Sequence, residues 1–228
     1  MSTRRDILAG LTASFAGALA TRAGAQSQTP ATSCVLTPDT GEGPYYFDPK
    51  LVRSDITEKQ PGVPLLLDIK VVTAGTCVAI PEARVDVWHA GANGIYSGYA
   101  GQWGNGASAA ERSATGKTFL RGTQFANETG HTTFRTVFPS WYRGRTPHIH
   151  FKVFLKPQEV VASQLYFPDK VSDRIYSTSR DYVARKLERD TFNEGDMFLR
   201  GRTGGAFCDV VEDGGVYRAS VVIGIDAA

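Results

Sequence analysis

Cysteine is scarce in this chain and has no metal-binding spacing. Cys34, Cys77 and Cys208 stand far apart, whereas zinc fingers and ribbons need cysteines paired within a few residues. The odd count leaves at least one thiol unpaired within a monomer, and any of three single bridges is open. An excess of either charge is also missing. Arg4, Arg5, Arg22 and Asp6 lie in the first 25 residues, so the remainder falls from 25 to 22 basic and from 23 to 22 acidic side chains. The +2 net charge belongs to that leading segment. No basic stripe is left to argue for nucleic acid. No apolar run approaches the roughly 20 residues of a permanent membrane span, and no internal repeat is visible. Helical periodicity is weak throughout. The one stretch that suggests a helix is Asp181 to Glu188, where Asp181 and Arg185 are spaced for an i,i+4 pair.

What is present falls into three parts. Thr3-Arg4-Arg5-Asp6-Ile7-Leu8 precedes an Ala/Gly-rich apolar run, and Ala23-Gly24-Ala25 has the small-x-small form of a cleavage site. The adjacent arginines resemble a twin-arginine export signal. Residues 1–25 are therefore expected to be a signal peptide, with the rest periplasmic or extracellular, where a disulfide is permitted. Residues 26–35 are rich in Ser, Thr, Gln and Pro and read as a flexible leader. Residues 36–228 read as one domain, and a chain with 42% apolar residues can bury one sizeable core.

Within that domain the period is two. Leu65 to Val72 places Leu67, Ile69 and Val71 on one face against Asp68 and Lys70, and Ala83 to His89 turns Val85 and Val87 inward. Thr133 to Val137, a run beginning at His148, a brief Gln164 to Phe167 and Val216 to Ile225 read likewise. Many short strands separated by turns predict an all-β antiparallel sandwich with little helix. The stretch from Ala90 to about Lys117 lacks periodicity and is long for a compact domain, which marks it as a functional loop. Gly/Pro-dense Leu36 to Phe47 reads as a structured loop that offers aromatics to line a site.

The chemistry concentrates in Tyr142-Arg-Gly-Arg145-Thr-Pro-His148-Ile-His150. Alternation puts His148 and His150 on one strand face, roughly 6.6 Å apart at the backbone. Ile149, Phe151 and Val153 face the other way. A lone His-x-His is a weak signal. Here it follows Tyr142 and Arg145, in a chain with four histidines. His89 follows the alternation of its strand and reads as structural, and His131 as a loop residue.

From Leu36 to the C-terminus the chain resembles the intradiol ring-cleaving dioxygenases, nearest to the protocatechuate type and its exported relatives. The likeness is carried by Thr37-Pro38 with Glu42-Gly43-Pro44-Tyr45-Tyr46, by Val85-Asp-Val-Trp-His89 with Gly94-Ile-Tyr96, by Pro139-Ser-Trp-Tyr142, by Arg145-Thr-Pro-His148-Ile-His150, and by Gln164-Leu-Tyr-Phe167. It implies a ferric ion, Fe(III), held by Tyr96, Tyr142, His148 and His150, with Tyr142 and His150 axial. Arg145 and Gln164 would lie beside a catecholic substrate that is opened with O2 between its hydroxyl-bearing carbons to a cis,cis-muconate-type diacid. Tyr142 would yield its place to the substrate and take a proton. The resemblance also implies homodimers or larger assemblies. Ala90-Gly91 stands where relatives often carry Cys-Asp, and Ser140 where they carry glycine. Tyr45, Tyr46 and Trp103 are candidate cavity walls, and Arg112, Arg121 and Arg143 are candidate partners for a substrate carboxylate. Two other readings stand beside this one: a non-enzymatic β-sandwich binding module, and a zinc hydrolase built on His148 and His150.

Overall fold

The chain's architecture is that of a computed structural model, which describes residues 34–100, 102, 114–185, 187–199 and 207–226. The expected signal segment, Trp103 and Arg112 lie outside these residues. Strands β1 (Pro64–Thr73), β2 (Arg84–His89), β3 (Arg121–Phe125), β4 (His131–Val137), β5 (His148–Leu155), β6 (Gln158–Tyr166), β7 (Asp209–Asp213) and β8 (Val216–Ile225) follow in chain order. They form two four-stranded sheets, ordered β4-β1-β8-β7 and β3-β2-β5-β6.

The period-two pattern decides which faces meet. Leu65, Leu67, Ile69 and Val71 of β1 have no exposed surface, while Leu66, Asp68 and Lys70 between them are partly exposed. They join Phe134, Ala219, Val221 and Ile223 from the same sheet and Val85, Val87, Ile149, Phe151, Val153 and Leu165 from the other in a single core. The expected β-sandwich is therefore present. One pairing departs from the antiparallel expectation: β1 and β8 run parallel, with Leu67 opposite Ala219 and Ile69 opposite Val221. Parallel neighbours require a long crossover, and here the second sheet and the helices all lie between the two strands in sequence.

Two strands and the helices differ from expectation. β3 opens on Arg121-Gly122, and β7 is largely exposed at a sheet edge, so neither carries an alternating signal. The helix expected over Asp181 to Glu188 is instead one turn, α2 (Arg180–Val183), preceded by the longer α1 (Asp169–Thr178). Pro168 and Asp169 open α1, and Ser172, Ile175 and Tyr176 form its buried face. Arg185 lies over the Trp141 ring at 4.2 Å and donates to the Trp141 carbonyl at 2.7 Å. Tertiary partners thus claim the residue that would have stabilised a continuing helix. β6 is also longer than the brief strand expected at Gln164. Cys34 and Cys77 form a disulfide with a Cα separation of 5.3 Å, and Cys208 is free and buried.

Candidate metal centre

β5 presents His148 and His150 on the face away from the core, yet both rings are buried. Three pieces of chain cover them. Trp88 of β2 lies opposite His150 in register and stacks on its ring, with centroids 4.9 Å apart and planes 12° apart. The strap of residues 36–47 crosses at Gly43, whose φ is +74°; a Cβ there would lie 3.1 Å from His150 Cε1. Only glycine lets the backbone run this close in this conformation. Lys152, two residues beyond His150, pins the strap by pairing with Glu42 and with Glu159 and by lying 3.9 Å above the Tyr46 ring. The third cover is the loop after β2, which delivers Tyr96, held against Tyr45 at 4.6 Å.

The polar atoms converge. His148 Nε2 lies 3.1 Å from Tyr96 Oη, 3.3 Å from Tyr142 Oη and 3.1 Å from His150 Nε2. A turn with Gly144 at φ +79° pairs Tyr142 with Arg145 across an isolated bridge. Arg145 Nη1 donates to Tyr142 Oη at 3.4 Å, and Nη2 donates to Gln164 Oε1. Gln164 lies opposite His150 on β6. Tyr96, Tyr142, Arg145, His148, His150 and Gln164 are therefore all brought to one place.

The protonation pattern at this point is informative. His148 Nδ1 is 2.6 Å from the Thr146 carbonyl. A carbonyl can only accept, so Nδ1 carries the proton and Nε2 offers a lone pair. That lone pair faces two hydroxyls and a second imidazole nitrogen, more groups than it can satisfy, and buried His150 Nδ1 has no partner. Burial, then the Arg145 charge, holds both histidines well below the usual 6.5, so both imidazoles are neutral at physiological pH. Burial pushes Tyr96 well above 10, reinforced by Tyr142; it raises Tyr142 too, against the pull of Arg145. A dry cluster of this kind disfavours phenolate unless strong positive charge lies among the oxygens.

Comparison with known proteins decides the family. A family model described as Dioxygenase matches residues 38–201. An intradiol ring-cleavage dioxygenase from Tetranychus urticae is 30% identical, over 86% of this chain and 96% of that one, with a TM-score of 0.75. The chain belongs to the intradiol ring-cleavage dioxygenase family. The dioxygenase domain of a carbohydrate-binding fusion from Streptomyces sp. SirexAA-E is 25% identical over 85% of this chain and 99% of that one, with a TM-score of 0.60. Catechol 1,2-dioxygenase from Acinetobacter sp. ADP1, at 18% identity over 83% and 62% of the two chains and a TM-score of 0.55, shares the fold. No curated protein matches the chain.

Membership of this family implies ring-cleaving oxidoreductase chemistry at a ferric ion. The donor set fits that ion. Among the described residues no three His, Cys, Asp or Glu side chains converge, which leaves the zinc-hydrolase reading without its usual ligands. The atoms that do converge are two phenols and two imidazoles, and hard oxygen donors that become anionic suit a highly charged cation.

Other expectations resolve differently. Tyr45 does pack against the cluster, but Tyr46 donates to Asp86 at 2.9 Å and lies on Trp88. Arg121 is enclosed rather than at an open rim, bonded to Ser97 and lying over the Phe47 ring at 4.3 Å. Arg143 is exposed on the turn. His89 is structural as expected, spanning the sheets between the Ala90 carbonyl and Thr136 Oγ1. The departure at Ser140 is absorbed by Arg185, whose Nη1 donates to the serine hydroxyl. Sequence reading missed Asp196, Lys152 and the stacking role of Trp88. For Trp88 and Lys152 a signal existed, since period two places them on the same faces as Asp86 and His150 respectively. Asp196 had none.

Proposed function

We propose that this protein is an exported, Fe(III)-dependent dioxygenase that opens a catecholic ring between its two hydroxyl-bearing carbons. Both atoms of O2 enter the product, a cis,cis-muconate-type diacid. The single observation that carries the reading is the meeting of Tyr96, Tyr142 and His150 around His148 Nε2, all within 3.3 Å, with Arg145 and Gln164 beside them. Tyr96, Tyr142, His148 and His150 would hold the ion. Bound there, it would supply a Lewis-acidic centre that takes both catechol oxygens and activates the ring toward O2.

The chain's own residues do the rest. Tyr142 is less enclosed than Tyr96 and is bonded to Arg145, which supports it as the phenol that would receive a substrate proton at Oη. Arg145 offers a permanent positive charge to developing negative charge on substrate oxygen; one aimed donor of this type is worth about 3 kcal/mol at a transition state. Gln164 accepts from Arg145 and from Tyr166 Oη, which holds its amide in one orientation. Trp88, Gly43 and Tyr45 exclude water from the imidazoles and from Tyr96. The Cys34–Cys77 disulfide and the twin-arginine-like start support export. Assembly as a homodimer or larger belongs to the same reading and is checked by light scattering.

The test is a visible absorption spectrum and metal content on one purified sample, then oxygen uptake with catechol, protocatechuate and hydroxyquinol. A tyrosinate-to-iron charge-transfer band that shifts on adding a catechol, with uptake of one O2 per ring opened, is the expected result. A protein that stays colourless after iron loading overturns the assignment and leaves the binding-module reading.

A further inference from the structure

Asp196 is absent from every expectation drawn from sequence, yet among the described residues it is the one carboxylate paired with the cluster's guanidinium. It follows the 3₁₀ turn Asn193–Gly195 and has no exposed surface. Its Oδ2 accepts from Arg145 Nε at 2.9 Å and from the Thr146 backbone N–H at 2.9 Å, while Oδ1 accepts from the Phe198 N–H at 2.9 Å. The Phe198 ring lies 4.3 Å from the guanidinium carbon. With three donors fixing it and no surface exposed to solvent, this carboxylate has one orientation.

We infer that Asp196 is a positioning residue of the ring-cleaving site, one that aims Arg145 by holding its Nε. This rests on the reading of the cluster proposed above. A guanidinium is a planar fork with five N–H groups in fixed directions. Once Nε–H is directed at Asp196 and the plane is set by Phe198, the terminal nitrogens have no freedom left. Nη1 faces Tyr142 Oη and Nη2 faces Gln164 Oε1. Without the carboxylate, rotation about the side-chain torsions would let the same charge point elsewhere. The clamp is separable from the ligands. Thr146, whose carbonyl orients His148, has holds besides the bond from its N–H to Asp196: its hydroxyl donates to Asn193 Oδ1 at 2.8 Å and accepts from Arg189 Nη2 at 2.9 Å. Loss of the Asp196 charge therefore disturbs Arg145 first.

The experiment compares the iron-loaded full chain with Asp196→Asn, Arg145→Gln and the double variant. It measures iron per chain, the visible band and steady-state cleavage of whichever of catechol, protocatechuate or hydroxyquinol the unaltered protein opens. Asp196→Asn is expected to lose about 10- to 100-fold in kcat, the range seen when a supporting partner is removed. KM, iron content and the resting band should stay near those of the unaltered protein. The double variant should be no worse than Arg145→Gln, because there is then nothing left to aim. Full turnover by Asp196→Asn overturns the inference. So do loss of iron or of the band in step with turnover, and losses that multiply in the double variant, since both mean a merely structural role. If Asp196→Asn does not fold, Arg145→Lys decides: it keeps the charge but lacks the fork. It should fall as far as Arg145→Gln, and near-normal activity overturns the inference. An unaltered protein with no band and no ring opening sinks the reading of the site itself, and this inference with it.

Discussion

At the scale of the residue, burial governs what each polar group can do. His89 shows this without involvement of the cluster. Burial pushes it down from 6.5 to about 4, so in the folded protein it stays neutral while the unfolded chain takes up a proton. Its contribution is therefore complete above pH 6.5 and is lost as pH falls toward 4, by about 3 kcal/mol. His148 and His150 are shifted in the same direction and add to the slope. Denaturant titrations at pH 7 and pH 4.5 should show the loss, and His89→Asn should flatten part of it. An unchanged slope in that variant would mean the buried imidazole is not responsible. At the cluster, His150→Ala removes one of the four proposed donors and opens space between Trp88 and Gly43. Its expected outcome is loss of the charge-transfer band and of bound iron, read on the same sample. Retention of both would remove His150 from the ligand set.

At the scale of the element, the strap of residues 36–47 matters as much as β5. β5 supplies two imidazoles in register, which period two makes legible, but a strand face alone would be wet. The strap closes it, and it can do so only because position 43 is glycine. Gly43→Ala puts a Cβ at 3.1 Å from His150 Cε1 in a left-handed conformation. It should cost about 1–2 kcal/mol of stability and displace either the strap or the ring. Thermal denaturation and the visible band, measured together, separate a loosened strap from a moved ligand. The sequence announced this loop by its Gly/Pro density and aromatics. Which glycine touches which ring depends on a strand contributed more than a hundred residues later, which no local pattern encodes. The helices teach the converse. The spacing of Asp181 and Arg185 suggested a helix, but Arg185 is drawn to Trp141 and Ser140, and a tertiary partner outweighs an i,i+4 pair worth about 0.2–0.5 kcal/mol.

At the scale of the whole molecule, the two sheets are joined by burial and the segment from Cys34 to Cys77 is tied by covalent closure. The Cys34–Cys77 bridge encloses a loop with a sequence separation of 43 and includes the strap. Loop-closure entropy puts its contribution at about 4 kcal/mol. Cys34→Ser with Cys77→Ser, or reduction, should lower the unfolding midpoint and loosen the strap. An unchanged midpoint would mean that non-covalent contacts, among them Lys152 with Glu42 and the Thr40 and Gly41 N–H bonds to the Ala162 carbonyl, hold the strap without the bridge. Among the described residues no helix is long and apolar enough to cross a membrane. What the sequence determined by itself was the alternating core, the sandwich, and an ordered set of tyrosines, histidines, arginine and glutamine that resembles one family. The core and sandwich are legible because strand geometry repeats every two residues, and the ordered set because it follows the family's motif along the chain. Only the tertiary structure decided which cysteines pair, that β1 and β8 lie parallel, and that Asp196 stands behind Arg145. Each of these joins residues remote in sequence, and proximity across a fold is created by packing rather than by local preference.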